Sequence, residues 1–262
     1  MTEAAAVLRP GDFTPLAEAY SANRPGYAPD VRDSLLALFG RPAGSLTAAD
    51  VGAGTGIWTR MLAGRVGRVI AVEPNAAMRR CAVMDCHGLG IDIRDGSAED
   101  TGLPDQSVDL VTMASSFHWA DFDRATAEFL RVLKPGGWFA ALWNPRVIGE
   151  TGLFRDIEDH IAQLKPGFVR VSSGNAPFTQ TLADRLRRHG GFGEVVTLDG
   201  QHTEEQSRAR YLGLWRSVSD VRTQLGPEKW AAFMDYVDFK TQDLDMLSVT
   251  YRTRAWCARK PG

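Results

Sequence analysis

The chain has 262 residues, 30 Lys and Arg against 32 Asp and Glu, a net charge of −2 and an apolar fraction of 44%. That size and composition suit one large α/β domain, or one with an elaboration, whose core needs no covalent staple. The near-neutral balance lacks the electrostatic footprint of a nucleic-acid or anionic-membrane binder. The longest apolar run, six residues at 138–143, falls far short of the about 20 a membrane helix needs. Met1-Thr2-Glu3 opens without a basic segment and a long apolar stretch, so a cytoplasmic protein without a signal peptide is expected. The three cysteines give no disulfide framework. Cys81, Cys86 and His87 lack the CxxC spacing of a metal site, and no metal is expected.

Residues 1–27 carry Pro10, Pro15 and Pro25 and read as an irregular arm with one short helix at 16–22. Asp30 is expected to cap an amphipathic helix that sets Val31, Leu35, Leu38 and Phe39 on one side and stops at Gly40. Strands and helices then alternate. Strands are expected at 46–51, 69–72, 89–94, 108–113 and 138–143. Helices are expected at 57–63, 76–84 and 122–133, the last stopped by Pro135-Gly136-Gly137. Such alternation predicts a doubly wound parallel sheet with helices on both faces. After Pro145 the rhythm changes. Helices are expected at 154–164, 182–189, 204–217 and 228–240, and a strand from 195 to 198 or on to 202. Leu247, Val249, Tyr251, Thr253, Ala255 and Cys257 alternate with polar neighbours, the pattern of an antiparallel strand at or near a sheet edge. The division expected is an arm or lid at 1–27, a Rossmann-like core at 28–145, and cap helices plus two strands of the same sheet at 146–262.

The strongest local signal is Asp50-Val51-Gly52-Ala53-Gly54-Thr55-Gly56, between a strand and a helix. In open α/β sheets, ligands lie beyond the carboxyl ends of the strands, and glycines let them approach bare backbone. A phosphate-binding P-loop requires GK[ST], but Ile57 follows Gly56. The spacing G-x-G-x-G also fits a nicotinamide dinucleotide poorly. Glu73 ends the next strand, 21 residues after Gly52, where a carboxylate can accept hydrogen bonds from both ribose hydroxyls. The plainer alternative for Glu73 is a cap on the following helix.

With Glu73-Pro74-Asn75-Ala76-Ala77-Met78, Gly96-Ser97-Ala98-Glu99, Ser107-Val108-Asp109-Leu110-Val111 and Arg131-Val132-Leu133-Lys134-Pro135-Gly136-Gly137 following in order, the chain resembles the class I S-adenosylmethionine-dependent methyltransferases. Phe117-His118-Trp119 and residues 20–27, from Tyr20 to Tyr27, are similar to the small-molecule branch with trans-aconitate-type and ubiquinone-biosynthesis-type enzymes. The resemblance is close over residues 16–145. It implies a seven-stranded, mostly parallel sheet with an antiparallel C-terminal strand and a helical cap. It also implies S-adenosylmethionine as cofactor and S-adenosylhomocysteine as product. Asp50 and the backbone of Gly52, Ala53, Gly54, Thr55 and Gly56 would meet the amino-acid portion, with Trp58, Tyr20 and Arg24 near its carboxylate. Glu73 and Pro74 would hold the ribose. Met78, Ser97, Ala98 and Glu99 would meet the adenine, although Ser97 departs from the aspartate common there. Ala114 and Ser115 would close the site at the fourth strand.

Methyl transfer needs alignment of a nucleophile and exclusion of water, and a base only where the nucleophile must lose a proton. His118, after the fourth strand, is the candidate base; its alternative role is to orient Trp119. Tyr27, Phe117, Trp119, Trp143, Tyr211 and Trp215 are the candidate acceptor lining, since aromatic faces suit a sulfonium and a flat acceptor. Tyr211 and Trp215, four apart on a helix, equally fit core packing. Arg216 reads as a solvated helix charge, and the basic run Arg185, Arg187, Arg188 as dipole compensation. Residues 114–117, Ala-Ser-Ser-Phe, are not the Asn/Asp-Pro-Pro-Tyr motif of base-amino methyltransferases. The expected function is methylation of oxygen, nitrogen or carbon on a small-molecule acceptor, without nucleic-acid or membrane partners. A same-fold cofactor binder without transfer, a protein or peptide methyltransferase and a nicotinamide enzyme are the alternatives.

Overall fold

The computed structural model describes residues 13–170, 174 and 176–262. Seven strands form one sheet in the order β3-β2-β1-β4-β5-β7-β6. The parallel part contains β1 (Thr47–Val51), β2 (Arg68–Val72), β3 (Asp92–Arg94), β4 (Val108–Ala114) and β5 (Leu133–Trp143). Apolar runs such as Val69-Ile70-Ala71-Val72 suit strands covered on both faces. The long strands β6 (Val195–Ser207) and β7 (Met246–Arg259) pair antiparallel, and β7 docks antiparallel on β5. The alternation expected for β7 is observed: Leu247, Val249, Tyr251 and Thr253 are buried, while Ser248 and Arg252 are exposed.

Two helices, α2 (Pro29–Ala37) and α3 (Ile57–Leu62), cover one face, where Val31, Leu35, Trp58 and Leu62 pack with Ala48, Leu110 and Leu142. On the other face Phe129 of α5 (Phe122–Val132) and Leu182 and Leu186 of α7 (Pro177–Arg188) pack on Val111, Phe139 and Ala141. A separate apolar cluster joins α6 (Leu153–Leu164), α8 (Arg208–Arg216) and α9 (Ser219–Lys240) to the first half of β7. This cluster stands at the end of the sheet where β5 delivers Trp143 to the cap.

Several boundaries differ from the sequence expectation, each for a local reason. The helix at 16–22 is observed as α1 (Ala17–Asn23), preceded by a 3-10 turn at Thr14–Leu16; residues 1–12 of the expected arm lie outside the described residues. Ala28, not Asp30, is the N-cap of α2, because Pro29 occupies the first helical position. Asp30 sits in the first turn, where a carboxylate opposes the helix dipole. Strand β5 begins at Leu133, five residues before the apolar run, and Pro135-Gly136 fall inside it. Helix α7 starts five residues earlier than expected, at Pro177. Strand β6 continues to Ser207, through the first four residues of the helix expected at 204–217, because β7 offers an unbroken antiparallel register that pairs the inward-facing backbone groups there. Helix α9 extends back to Ser219 across a kink at Gly226 (φ 74°) and Pro227.

Candidate functional site

The carboxyl ends of β1, β2, β4 and β5 open into a cavity of about 820 Å³ roofed by the arm and the cap. At its floor the glycine loop turns through left-handed backbone at Gly52 (φ +64°), Gly54 (φ +59°) and Gly56 (φ +80°). The N–H groups of Gly52 and Ala53 both donate to the Val72 carbonyl, at 2.8 and 3.1 Å. A Cβ on Gly52 would stand 2.8 Å from Ser116 Oγ, so the loop lies directly against the end of β4. A Cβ on Gly54 would meet nothing within 4 Å: this glycine faces open cavity.

Glu73, just after β2, lines the same floor. Its Oε2 accepts the Gly54 N–H at 2.7 Å and its Oε1 accepts the Asn75 N–H at 2.8 Å. Each carboxylate oxygen retains acceptor capacity beyond one backbone bond. Burial raises the Glu73 pKa against those two hydrogen bonds. The capping role weighed for this residue belongs instead to Asn75, whose side chain accepts from Ala77 N and Met78 N at the start of α4 (Ala76–Asp85). Pro74, Met78, Ser97, Ala98 and Glu99 continue the wall. The Ser97 hydroxyl folds back onto its own turn, accepting from Glu99 N at 3.2 Å and Asp100 N at 3.1 Å.

Asp50 was expected to touch the ligand; instead it is fully buried and does not line the cavity. Its oxygens accept from Thr59 Oγ1 of α3 at 2.5 Å and Thr112 Oγ1 of β4 at 3.1 Å. Burial, reinforced by the nearby Glu73 charge, pushes its pKa up to about 7 against these bonds. Asp50 therefore ties β1, β4 and α3 together beneath the loop. Gly56 also lies behind the wall, where a Cβ would approach Cys86 Sγ to 2.8 Å.

The arm supplies the opposite wall. Arg24 donates from Nε to Ser217 Oγ and from Nη2 to the Ser217 carbonyl, both at 3.0 Å, and its guanidinium lies 4.7 Å from the Tyr20 ring centroid. The Tyr27 hydroxyl lies 2.9 Å from Ser115 Oγ, and the Tyr27 ring meets Trp58 edge-on at 5.3 Å. Ser115 itself has a positive φ of 56°, an uncommon conformation for a residue with a side chain. Tyr20, Arg24, Tyr27, Thr55, Trp58, Ala114, Ser115, Trp119 and Trp143 all reach the cavity.

Besides Asp50 and Gly56, four expected residues do not. Phe117 packs in the sheet core against Phe122, Phe129, Phe139 and Phe178, because the 3-10 turn Phe117–Trp119 points its first side chain inward. His118 is half-buried beside Trp119 and Trp143, which stand at the wall in its place; its two ring nitrogens are buried and have no hydrogen-bond partner among the described residues. Burial pushes its pKa down to about 4, so the imidazole is neutral at pH 7, behind the residues that line the cavity. Tyr211 and Trp215 are fully buried in the cap cluster. They support Arg146, which does line the cavity: its guanidinium lies 4.4 Å from the Trp215 centroid and donates to Tyr211 Oη at 2.7 Å. Arg216 is exposed, as expected of a solvated charge.

Sequence reading missed the far end of the cavity, where Arg146, Glu158, Arg170 and Asp220 converge. Arg146 had one linear signal, lying three residues beyond the strand that ends at Trp143. The other three come from the cap and have none. Among the described residues, no cluster of three or more His, Cys, Asp or Glu could hold a metal, and no helix is long and apolar enough to cross a membrane.

A glycine loop braced by an acidic residue at the next strand end, on a β3-β2-β1-β4-β5-β7-β6 sheet, defines a Rossmann-like nucleoside-binding class. The family model of the methyltransferase domain matches residues 49–141. An uncharacterized methyltransferase of Mycobacterium tuberculosis is 40% identical over 131 residues, 49% of this chain and 50% of that protein. The chain thus spans about half the length of the curated relatives it matches most strongly. The ubiquinone/menaquinone biosynthesis C-methyltransferase UbiE of Stenotrophomonas maltophilia is 31% identical over 183 residues, 66% of this chain and 71% of that one. The structure of a candidate type II methyltransferase from Anaeromyxobacter dehalogenans superposes with a TM-score of 0.65 at 26% identity, covering 91% of this chain and 99% of the other. Haemonchus contortus phosphoethanolamine N-methyltransferase 2, solved with S-adenosyl-L-methionine, shares the fold at a TM-score of 0.55 and 16% identity, over 98% of this chain and 61% of that one. The chain belongs to the methyltransferase family.

Proposed function

We propose that this protein transfers the methyl group of S-adenosylmethionine to a nucleophile of a small-molecule acceptor. The observation that carries the reading is the Gly54–Glu73 pair. A glycine whose missing side chain would occupy open cavity lies 2.7 Å from a carboxylate with acceptor capacity to spare. That arrangement fits a ribose laid across the end of β2 and an amino-acid portion against the loop. Thr55 Oγ1 and Trp58 Nε1, buried polar atoms without partners among the described residues, are further groups a polar ligand would satisfy. Met78 and Ala98 would sandwich the adenine, and Tyr20 and Arg24 would cover the amino-acid end.

When bound, the cofactor supplies a methyl carbon made electrophilic by its sulfonium. The protein's part is alignment and dehydration. Trp119, Trp143 and Tyr27 wall the space beside Ser115, keep water out, and offer ring faces to a cation. Enclosure by the arm and cap favours a small acceptor over an extended polymer. His118, half-buried behind that wall, acts by packing Trp119 and Trp143 rather than by taking a proton. Regions 1–27 and 146–262 serve as lid and cap over the core at 28–145.

Calorimetric titration of the purified protein with S-adenosylhomocysteine and with NAD tests the reading. Micromolar binding of the first and none of the second is expected. Absence of S-adenosylhomocysteine binding by the folded protein would overturn the cofactor assignment.

A further inference from the structure

The end of the cavity away from the glycine loop is lined by charges. Arg146 is nearly buried, with 11% of its side chain exposed, and its guanidinium lies 4.4 Å from the Trp215 ring centroid and 5.3 Å from that of Tyr211. Its hydrogen bond to Tyr211 Oη is the one its guanidinium makes among the described residues. Its nearest carboxylate, Glu158, lies 3.8 Å away and is already engaged by Arg170 Nη2, at 2.8 and 2.9 Å from the two Glu158 oxygens. Arg170 also approaches Asp220 Oδ1, at 3.6 Å. One carboxylate thus serves two guanidinium groups, and the better geometry goes to Arg170.

A desolvated cation is stable only when it is paired and hydrogen-bonded. A guanidinium also presents its N–H donors as a planar fork, which matches carboxylate and phosphate oxygens. Arg146 has that fork, shares its one carboxylate neighbour among the described residues, Glu158 at 3.8 Å, with Arg170, and forms part of the cavity wall three residues past Trp143. Glu158, the Tyr211 hydroxyl and the Trp215 ring hold it in place whether or not the cavity is filled. We infer that the acceptor carries an anionic group, a carboxylate or a phosphate, seated on Arg146 with Arg170 beside it, its nucleophile turned towards Trp143 and Ser115. This rests on the methyltransferase reading for which end of the cavity takes the cofactor. The anion site itself does not depend on that reading.

The probes are benzoate, phenyl phosphate and the neutral benzamide, which share a ring and differ in the group offered to Arg146. Each is titrated calorimetrically into the full chain, alone and with saturating S-adenosylhomocysteine. At least one anion is expected to bind about tenfold or more tightly than benzamide, and which one distinguishes carboxylate from phosphate. Arg146→Gln should weaken the anion by about 10- to 100-fold, the loss of a charged hydrogen-bonded pair. The same variant should leave S-adenosylhomocysteine affinity unchanged, and Arg146→Lys should recover part of the anion affinity. If Arg146→Gln does not fold, Arg170→Gln takes its place, with a smaller loss expected. Failure of both anions to bind, equal binding of benzamide, or anion affinity unchanged in the variants would overturn the inference. Anion binding without S-adenosylhomocysteine binding would sustain the site and refute the cofactor reading instead.

Discussion

Glu73 and Asp50 are neighbouring acids with different tasks, and their partners tell them apart. Glu73 faces the cavity and braces Gly54 and Asn75 through backbone N–H groups. Glu73→Ala should weaken S-adenosylhomocysteine binding by about 10- to 150-fold, the worth of a charged acceptor. Because the same change orphans two N–H donors, it should also lower the unfolding free energy by about 1–3 kcal/mol. Calorimetry and urea titration separate the two effects, and unchanged affinity in the folded variant would refute the ribose role. Asp50 accepts from the Thr59 and Thr112 hydroxyls and from the Thr59 backbone, and burial raises its pKa from 3.8 to about 7 against these bonds. Between those values the folded chain binds more protons at this site than the unfolded chain does. The Asp50 contribution to stability is therefore full below pH 4 and is lost as pH rises through about 7. Asp50→Asn, which cannot ionise, should remove that loss: the stability difference between the variant and the wild type should shift in the variant's favour from pH 4 to 7. A pH-independent difference would show that Asp50 titrates normally.

At the scale of elements, the short helix α4 matters most to the site, since it carries Met78 and begins at the Asn75 cap beside Glu73. Asn75 Oδ1 accepts from Ala77 N at 2.9 Å and Met78 N at 3.1 Å, satisfying two of the N–H groups that a helix start leaves open. Asn75→Ala should cost about 1 kcal/mol of stability, read from urea unfolding. Frayed at its first turn, α4 should also hold Met78 less firmly, so a modest loss of S-adenosylhomocysteine affinity should accompany it. Unchanged stability would mean that packing of Ala77 and Cys81 against the arm holds the turn without the cap. The second element of note is the arm. Arg24 clamps it to the C-cap of α8, the Gly26 N–H donates to Glu204 Oε1 at 3.0 Å, and the Gly26 carbonyl accepts from Asn144 Nδ2 at 2.7 Å. The arm is thus fastened to the cap and to the end of β5, in a position to couple both ends of the cavity.

For the whole molecule, the sheet's strand ends carry the glycine loop and Glu73, and the cap carries the charges at the far end of the cavity. A cavity of about 820 Å³ lies towards the upper part of the range for small-molecule sites, about 300–1,000 Å³, and has room for two partners. Deleting residues 1–27 removes Tyr20, Arg24 and Tyr27 from its wall. The truncated protein should lose acceptor turnover and bind S-adenosylhomocysteine more weakly, as calorimetry and release of labelled methyl would show. Full activity without the arm would refute its role as a lid.

The sequence by itself determined the sheet core and the glycine-loop end of the cavity. Buried parallel strands require unbroken apolar runs, and a ligand lying on backbone requires glycines at set offsets, so both leave linear marks at residues 46–56, 69–73 and 108–115. Residues whose side chains could turn either way were decided only in three dimensions. Asp50, Phe117 and His118 sit at strand ends where one rotation separates cavity from core, and Tyr211 and Trp215 fit a helix face of either kind. Strand β6 overrode a helical pattern because β7 offered a complete ladder of partners. Arg146, Glu158, Arg170 and Asp220 come from a loop, α6, the segment after it and α9, and nothing in their spacing relates them. Packing of the cap places them together, because tertiary structure alone sets the distance between charges far apart in the chain.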